Sequence, residues 1–176
     1  PVIYEVDPAR DGGSFTTRRV IAIQNGKQIL NLAASFHKEE PGWSHQHTMP
    51  DVPPPDGLQS RDELHELHAH RISEEMREEF TRQRPFEIRD IEPRDPLDPQ
   101  VCSDINHMWI RMESAKDAGP ELQHVLMAYA SDFGLLGSAL RPHGLTWYKP
   151  EAMTASLDHA MWFHAPVRFE NWHLYT

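Results

Sequence analysis

Asp132 and Ser156 are the two residues of this chain whose types and surroundings point toward a reaction. A carboxylate accepts a proton and a hydroxyl orients a water. An acid and a hydroxyl facing each other across one solvent molecule therefore make a hydrolytic pair, able to send that water at an electrophilic carbonyl. Asp132 falls at the edge of an apolar stripe of Leu122, Val125, Leu126, Tyr129, Phe133, Leu136 and Leu140, which recur at spacings of three and four. On a continuous helix that place is partly desolvated, which strengthens the carboxylate as a proton acceptor. A second reading stands beside it: Ser131, Asp132 and Gly134 interrupt the helix, and Asp132 caps the break. Ser156 lies in an alternating stretch, 152–164, that reads as a strand able to pack across the helix.

The other polar clusters carry less. In His65-Glu66-Leu67-His68-Ala69-His70 the zinc-protease pattern fails, because its second histidine is required at position 69, where Ala69 stands. His65 and His68 share a helix face without a third ligand, so they read as solvated surface histidines and no metal site is expected. Ser156, Asp158 and His159 do not make a triad, since a strand points Ser156 and His159 to opposite faces and no G-x-S-x-G elbow surrounds the serine. Phosphate-loop and dinucleotide motifs are absent. The single cysteine, Cys102, excludes an internal disulfide and suits a reducing compartment.

The elements that must position Asp132 and Ser156 follow from pattern and punctuation. Residues 119–144 read as one helix, opened by Gly119-Pro120-Glu121 and closed by Pro142 and Gly144. Ahead of it, 86–91 and 107–112 alternate as strands, and a further strand begins within 169–175. Near the start, two β-rich runs flank Asn25-Gly26, the favoured hairpin pair. Closing that turn without irregularity pairs Ile23 with Gln28, Ile21 with Leu30 and Arg19 with Leu32. Ile21, Ile23, Leu30, Leu32 and Phe36 then share the core face. Between these regions lie five prolines of a linker, Pro41, Pro50, Pro53, Pro54 and Pro55, and then a charged surface helix capped by Ser60 with Glu63. Strands, linker helix, two strands, long helix and two strands make an α+β pattern.

Length and charge bound the rest. The 176 residues carry 27 acids against 17 Lys plus Arg, a net charge of −10 that argues against nucleic acid or an anionic membrane as main partner. The chain opens at Pro1 directly into strand-like residues and stops at Thr176 in the middle of another, which reads as a piece of something longer.

Several motifs together resemble the acyl-CoA thioesterase II family over nearly the whole length. They are Tyr129-Ala130-Ser131-Asp132, Leu140-x-Pro142-His143-Gly144, and the string Ser156-Leu157-Asp158-His159-Ala160-Met161-Trp162-Phe163-His164. Upstream stand Arg10-Asp11-Gly12-x-Ser14-Phe15, Arg18-Arg19-Val20, Ala22-Ile23-Gln24-Asn25-Gly26-Lys27 and His47-x-Met49-Pro50. The resemblance implies a double hot-dog fold, long helices wrapped by curved antiparallel sheet, with both halves incomplete here. It divides the chain into the last strands of a first domain over 1–40, a linker and surface helix over 41–84, and a second domain over 85–176 cut short at its end. The implied reaction is hydrolysis of acyl-CoA to free fatty acid and CoA, with no metal and no cofactor beyond the CoA of the substrate. Asp132 matches the family's acid and Ser156 its hydroxyl, while the third member, a Gln, belongs to a strand outside this chain. Arg18, Arg19 and Arg141 are candidates for the CoA phosphates. The accompanying expectations are acyl-CoA as substrate, a homo-oligomer, neither nucleic acid nor membrane as partner, and a cytoplasmic place, peroxisomal in a eukaryote. The alternative is a non-enzymatic hot-dog module that binds acyl-CoA or protein partners.

Overall fold

The structure, a computed structural model, describes residues 1–148, 151 and 153–176. They form two units, Pro1–Met49 and Pro50–Thr176. Each contains a three-stranded antiparallel sheet.

The first unit is a meander of β1 (Ile3–Asp11), β2 (Phe15–Gln24) and β3 (Lys27–His37). Asn25 and Gly26 turn the β2–β3 hairpin with φ of 51° and 73°, the two positive values a type I′ turn requires. The pairing beyond that turn departs from the expected register. Ile23 faces Gln28 as anticipated, but Ala22 then faces Leu30 and Val20 faces Leu32, leaving Ile29 as a bulge. One extra residue shifts every later pair by one, which moves alternate side chains to the other face. The shared apolar face is therefore Val20, Ala22, Leu30 and Leu32, with Tyr4 and Val6 opposite Ala22 and Val20 on β1. Ile21 lies instead between Glu5 and Asn31.

In the second unit, α1 (Arg61–His68) begins in the expected capping box: the Glu63 N–H donates to Ser60 Oγ at 3.2 Å and the Ser60 N–H to Glu63 Oε2 at 2.7 Å. The charged helix does not continue unbroken. Ile72 and Ser73 are extended, and α2 (Glu74–Phe80) starts afresh. His65 is a correction to the surface reading, for it is 8% exposed, stacked on Phe80 at 4.5 Å and edge-on to Tyr148. Burial, helped by the Arg61 charge, holds its imidazole below the ordinary histidine range. The neutral ring is thus the folded form, while an unfolded histidine titrates near about 6.5. Stability is complete above that value and is lost as pH falls from it toward the lower folded pKa. We expect the urea midpoint to fall between pH 8 and pH 5, and the slope to flatten in His65→Phe; an identical slope in both proteins contradicts this origin.

The second sheet runs β4 (Glu87–Asp90), β5 (Met108–Arg111), β6 (His173–Tyr175), in that order. Arg61 fastens α1 to β4 through Asp90, with bonds of 3.0 and 2.7 Å. The proline-rich stretch is held on this sheet as well: Trp109 Nε1 donates to the Pro53 carbonyl at 2.8 Å, and Arg89 donates to the Pro55 and Leu58 carbonyls.

The expected long helix is two. α3 (Pro120–Ala130) and α4 (Leu135–Leu140) are separated by the turn at 131–134, so the break is realised, but Asp132 does not cap it: Ser131 ends α3 and Gly134 begins α4. Within the break only a glycine fits at 134, where a Cβ would sit 2.6 Å from Tyr175 Cε1 and 3.0 Å from Met108 Cε. The buried arc is also rotated from the expected stripe. Leu122, Val125 and Tyr129 are exposed, while Gln123 and Ala130 are buried and Leu126 and Met127 partly so. Gln123 explains the rotation. Its Oε1 accepts the Phe169 N–H at 2.7 Å, and its Nε2 donates to the Ala115 carbonyl at 2.8 Å and to Glu170 at 3.3 Å. A fully bonded amide is stable in the interior, where a pattern of apolar residues alone does not foresee it. Gln123→Ala orphans the buried Phe169 N–H, the Ala115 carbonyl keeping the Ala118 N–H, and is expected to cost about 1–3 kcal/mol in denaturant unfolding; a loss under about 0.5 kcal/mol contradicts this role.

Around that amide, Phe86, Ile110, Ala115, Ala130, Val167 and Phe169 form the core. The expected strand over 152–164 is not formed. Residues 153–164 have no regular secondary structure, and Met153, Leu157 and Trp162 are exposed. Ala152 lies outside the described residues. Alternation selects a face, but a strand also needs a neighbour for its N–H and C=O groups, and none pairs with this stretch among the described residues.

Candidate active site

The end of α3 organises the candidate site. Ser131 caps the helix and its Oγ donates to the Ala128 carbonyl at 2.7 Å. That bond uses the only proton the hydroxyl has. The 2.9 Å contact between Ser131 Oγ and His159 Nε2 must then be a donation from the imidazole N–H to the serine oxygen. The Ser131 carbonyl meanwhile accepts the Tyr175 hydroxyl at 2.9 Å. One residue thus joins α3, the stretch that carries Ser156, and β6.

Asp132 follows in the turn and is exposed, not desolvated as the continuous-helix reading anticipated. Ending the helix one residue earlier swings this side chain off the apolar face. It remains close enough to Tyr175 to act on it: burial raises the phenol above its ordinary range, the Asp132 charge adds to the rise, and a backbone bond from Gly134 opposes it.

Ser156 is exposed and stands three residues before His159. Three residues reach at most about 11 Å of chain, so the Ser131–His159 bond sets Ser156 in the neighbourhood of the Asp132 turn. Phe163 packs edge-on against His124 at 5.0 Å, seven residues back along α3, while His159 meets Ser131 at its end. Between His159 and Phe163 the stretch therefore runs antiparallel to α3. The structure gives no direct hydrogen bond between Asp132 and Ser156 themselves.

Three residues of this site, Ser131, Gly134 and Tyr175, escaped a search by catalytic type, because their parts here are a carbonyl, a missing Cβ and a hydroxyl given to backbone. The fourth, His159, enters as a chemical candidate only through the triad that a strand geometry excludes. The cationic candidates behave differently from expectation at one position. Arg141 is 5% exposed and donates to Ser103, Asn106 and Glu92, so it is an interior tie and not a surface cation. Arg18 is bonded to Asp11 at 2.7 Å. Among the described residues no three His, Cys, Asp or Glu side chains group in a way that could hold a metal ion. An open groove lined by Ser60, Glu63, Arg84, Glu87 and Lys116 includes neither Asp132 nor Ser156.

Comparison with known proteins gives a consistent answer. A family model described as acyl-CoA thioesterase matches residues 75–176. The chain is 32% identical over 176 residues to acyl-CoA thioesterase 2 of Haemophilus influenzae, covering all of this chain and 62% of that protein. It is 36% identical to acyl-coenzyme A thioesterase 8 of Homo sapiens, over 99% of this chain and 57% of that one. Among solved structures, an acyl-CoA thioesterase II from Mycobacterium marinum superposes with a TM-score of 0.71 at 36% identity, over 98% of this chain and 59% of that one. The chain thus spans less than two thirds of the length of these relatives.

Proposed function

This chain belongs to the acyl-CoA thioesterase family, and from that premise we propose that it takes part in hydrolysing acyl-CoA thioesters to free fatty acid and CoA. The names of its relatives support the substrate class. The observation that carries the site is the 2.9 Å bond between Ser131 and His159, because it draws the stretch bearing Ser156 to the turn bearing Asp132.

In this reading Asp132 accepts a proton from a water that Ser156 orients, and the water oxygen bonds to the thioester carbonyl carbon. The carbon–sulfur bond then breaks, and the proton held by Asp132 passes to the departing thiolate of CoA. A thioester has little resonance stabilisation, so an oriented and partly deprotonated water suffices without a covalent enzyme intermediate. A Gln from outside this chain is the third polar partner of the water. The same reading takes acyl-CoA as substrate with no separate cofactor. It places the protein, as a homo-oligomer, in the cytoplasm, or in the peroxisome of a eukaryote. No helix among the described residues is long and apolar enough to cross a membrane.

The test is release of free CoA thiol from acyl-CoA by the purified full-length protein. Turnover that persists in chelator supports the proposal. A folded protein that binds acyl-CoA and releases no thiol is instead a binding module, and the hydrolytic reading then fails.

A further inference from the structure

The turn that carries Asp132 lies between α3, which stops at Ala130, and α4, which starts at Leu135. It is closed locally by one bond, the Phe133 N–H donating to the Ala130 carbonyl at 3.0 Å. A base on such a turn is useful only if something else fixes it, because a displacement of about 1 Å can cost about a hundredfold in rate. Two features of β6 supply that fixation. The Tyr175 hydroxyl donates to the Ser131 carbonyl, the peptide that leads directly into Asp132, at 2.9 Å. Its ring lies where a Cβ on Gly134 would come within 2.6 Å, so the far side of the turn rests against the ring at Cε1 and Cζ. Asp132 is thereby bracketed by contacts to one side chain, at the residue before it and two residues after it. Tyr175 in turn is carried by the β5–β6 pairing, opposite Met108, which is fully buried. Tyr175 thus links the turn to the sheet, beside the turn's own Phe133–Ala130 bond and the packing of Phe133 on Phe86.

We propose that Tyr175 is a positioning residue that holds the Asp132 turn in its working geometry, through its hydroxyl on Ser131 and its ring on Gly134. This rests on the reading of Asp132 as the base. It goes further in naming a residue that touches neither water nor substrate and whose loss acts only through Asp132. Tyr175→Phe keeps the ring on Gly134 and removes the bond to Ser131, so the sheet stays packed. Gly134→Ala disturbs both contacts, because the new Cβ meets Tyr175 at Cε1 and at Cζ, the carbon that carries the hydroxyl.

The experiment is a double-mutant cycle in the full-length protein, read by kcat and KM for acyl-CoA with folding checked by circular dichroism. Tyr175→Phe is expected to lower kcat by about tenfold with KM changed less than about twofold. In an Asp132→Asn background the same change is expected to have no further effect on kcat, because the group it positions is already disabled. Gly134→Ala is expected to lower kcat at least as much as Tyr175→Phe. A structural role alone gives the same factor in both backgrounds, and that result overturns the inference. Wild-type kcat in Tyr175→Phe, beside an inactive Asp132→Asn, overturns it while leaving Asp132 as the base. Full activity in Asp132→Asn removes the underlying reading and this inference with it.

Discussion

Asp132→Asn in the full-length protein should lower kcat by at least about 10², the usual contribution of a positioned general base. Asparagine keeps the shape of the side chain and loses the ability to take a proton. Because Asp132 is exposed in the turn after α3, the substitution removes no core packing, and thermal unfolding should be close to that of the parent. KM should change little, since the lost interaction belongs to the transition state and not to substrate binding. Stopped assays of CoA release at saturating acyl-CoA check both parameters. Near-normal turnover by a folded Asp132→Asn protein excludes Asp132 as the base.

Phe169→Ala should be the most damaging single change to stability. The ring is 1% exposed, meets Phe86 edge-on at 5.6 Å and stacks on His173 at 5.1 Å. Its backbone is bonded on both sides: the N–H donates to Gln123 and the carbonyl accepts the Met112 N–H at 2.8 Å. Removing a fully buried phenylalanine from such a place costs about 3–5 kcal/mol, from both transfer and the cavity left behind. Against a typical total of about 5–15 kcal/mol, that is a large share. Urea unfolding followed by fluorescence should give a much lower midpoint at an unchanged slope. A midpoint within error of the parent contradicts the place given to Phe169 at the centre of the core.

What could be read in the sequence was what short-range chemistry decides. Asn25-Gly26 specified its turn because only residues tolerant of positive φ fit there, and Ser60 with Glu63 specified a helix start because each satisfies the other's backbone. Strands β4 and β5 followed from alternation alone. The family was legible too, through the strings around Asp132 and from Ser156 to His164.

The misses share a different cause: each was decided by a partner distant in sequence. A period of two does not reveal the bulge at Ile29, so the expected hairpin faces came out reversed beyond it. The glycine in the helix break is required by a tyrosine more than forty positions later. Gln123 entered the interior because Phe169, Ala115 and Glu170 meet it there. The 153–164 stretch alternates like a strand, but its ties to α3 run through the side chains of His159 and Phe163. For the site this means that residue types pointed to Asp132 and Ser156, whereas the bond between Ser131 and His159, near each of them in the chain, became visible only in three dimensions.

The decisive measurement is a high-resolution crystal structure of the full-length protein, asking where water sits beside Asp132. The account predicts one ordered water within about 2.6–3.2 Å of both an Asp132 carboxylate oxygen and Ser156 Oγ. If those two groups instead lie too far apart to share a water, and the Asp132 carboxylate opens onto bulk solvent alone, the account is contradicted.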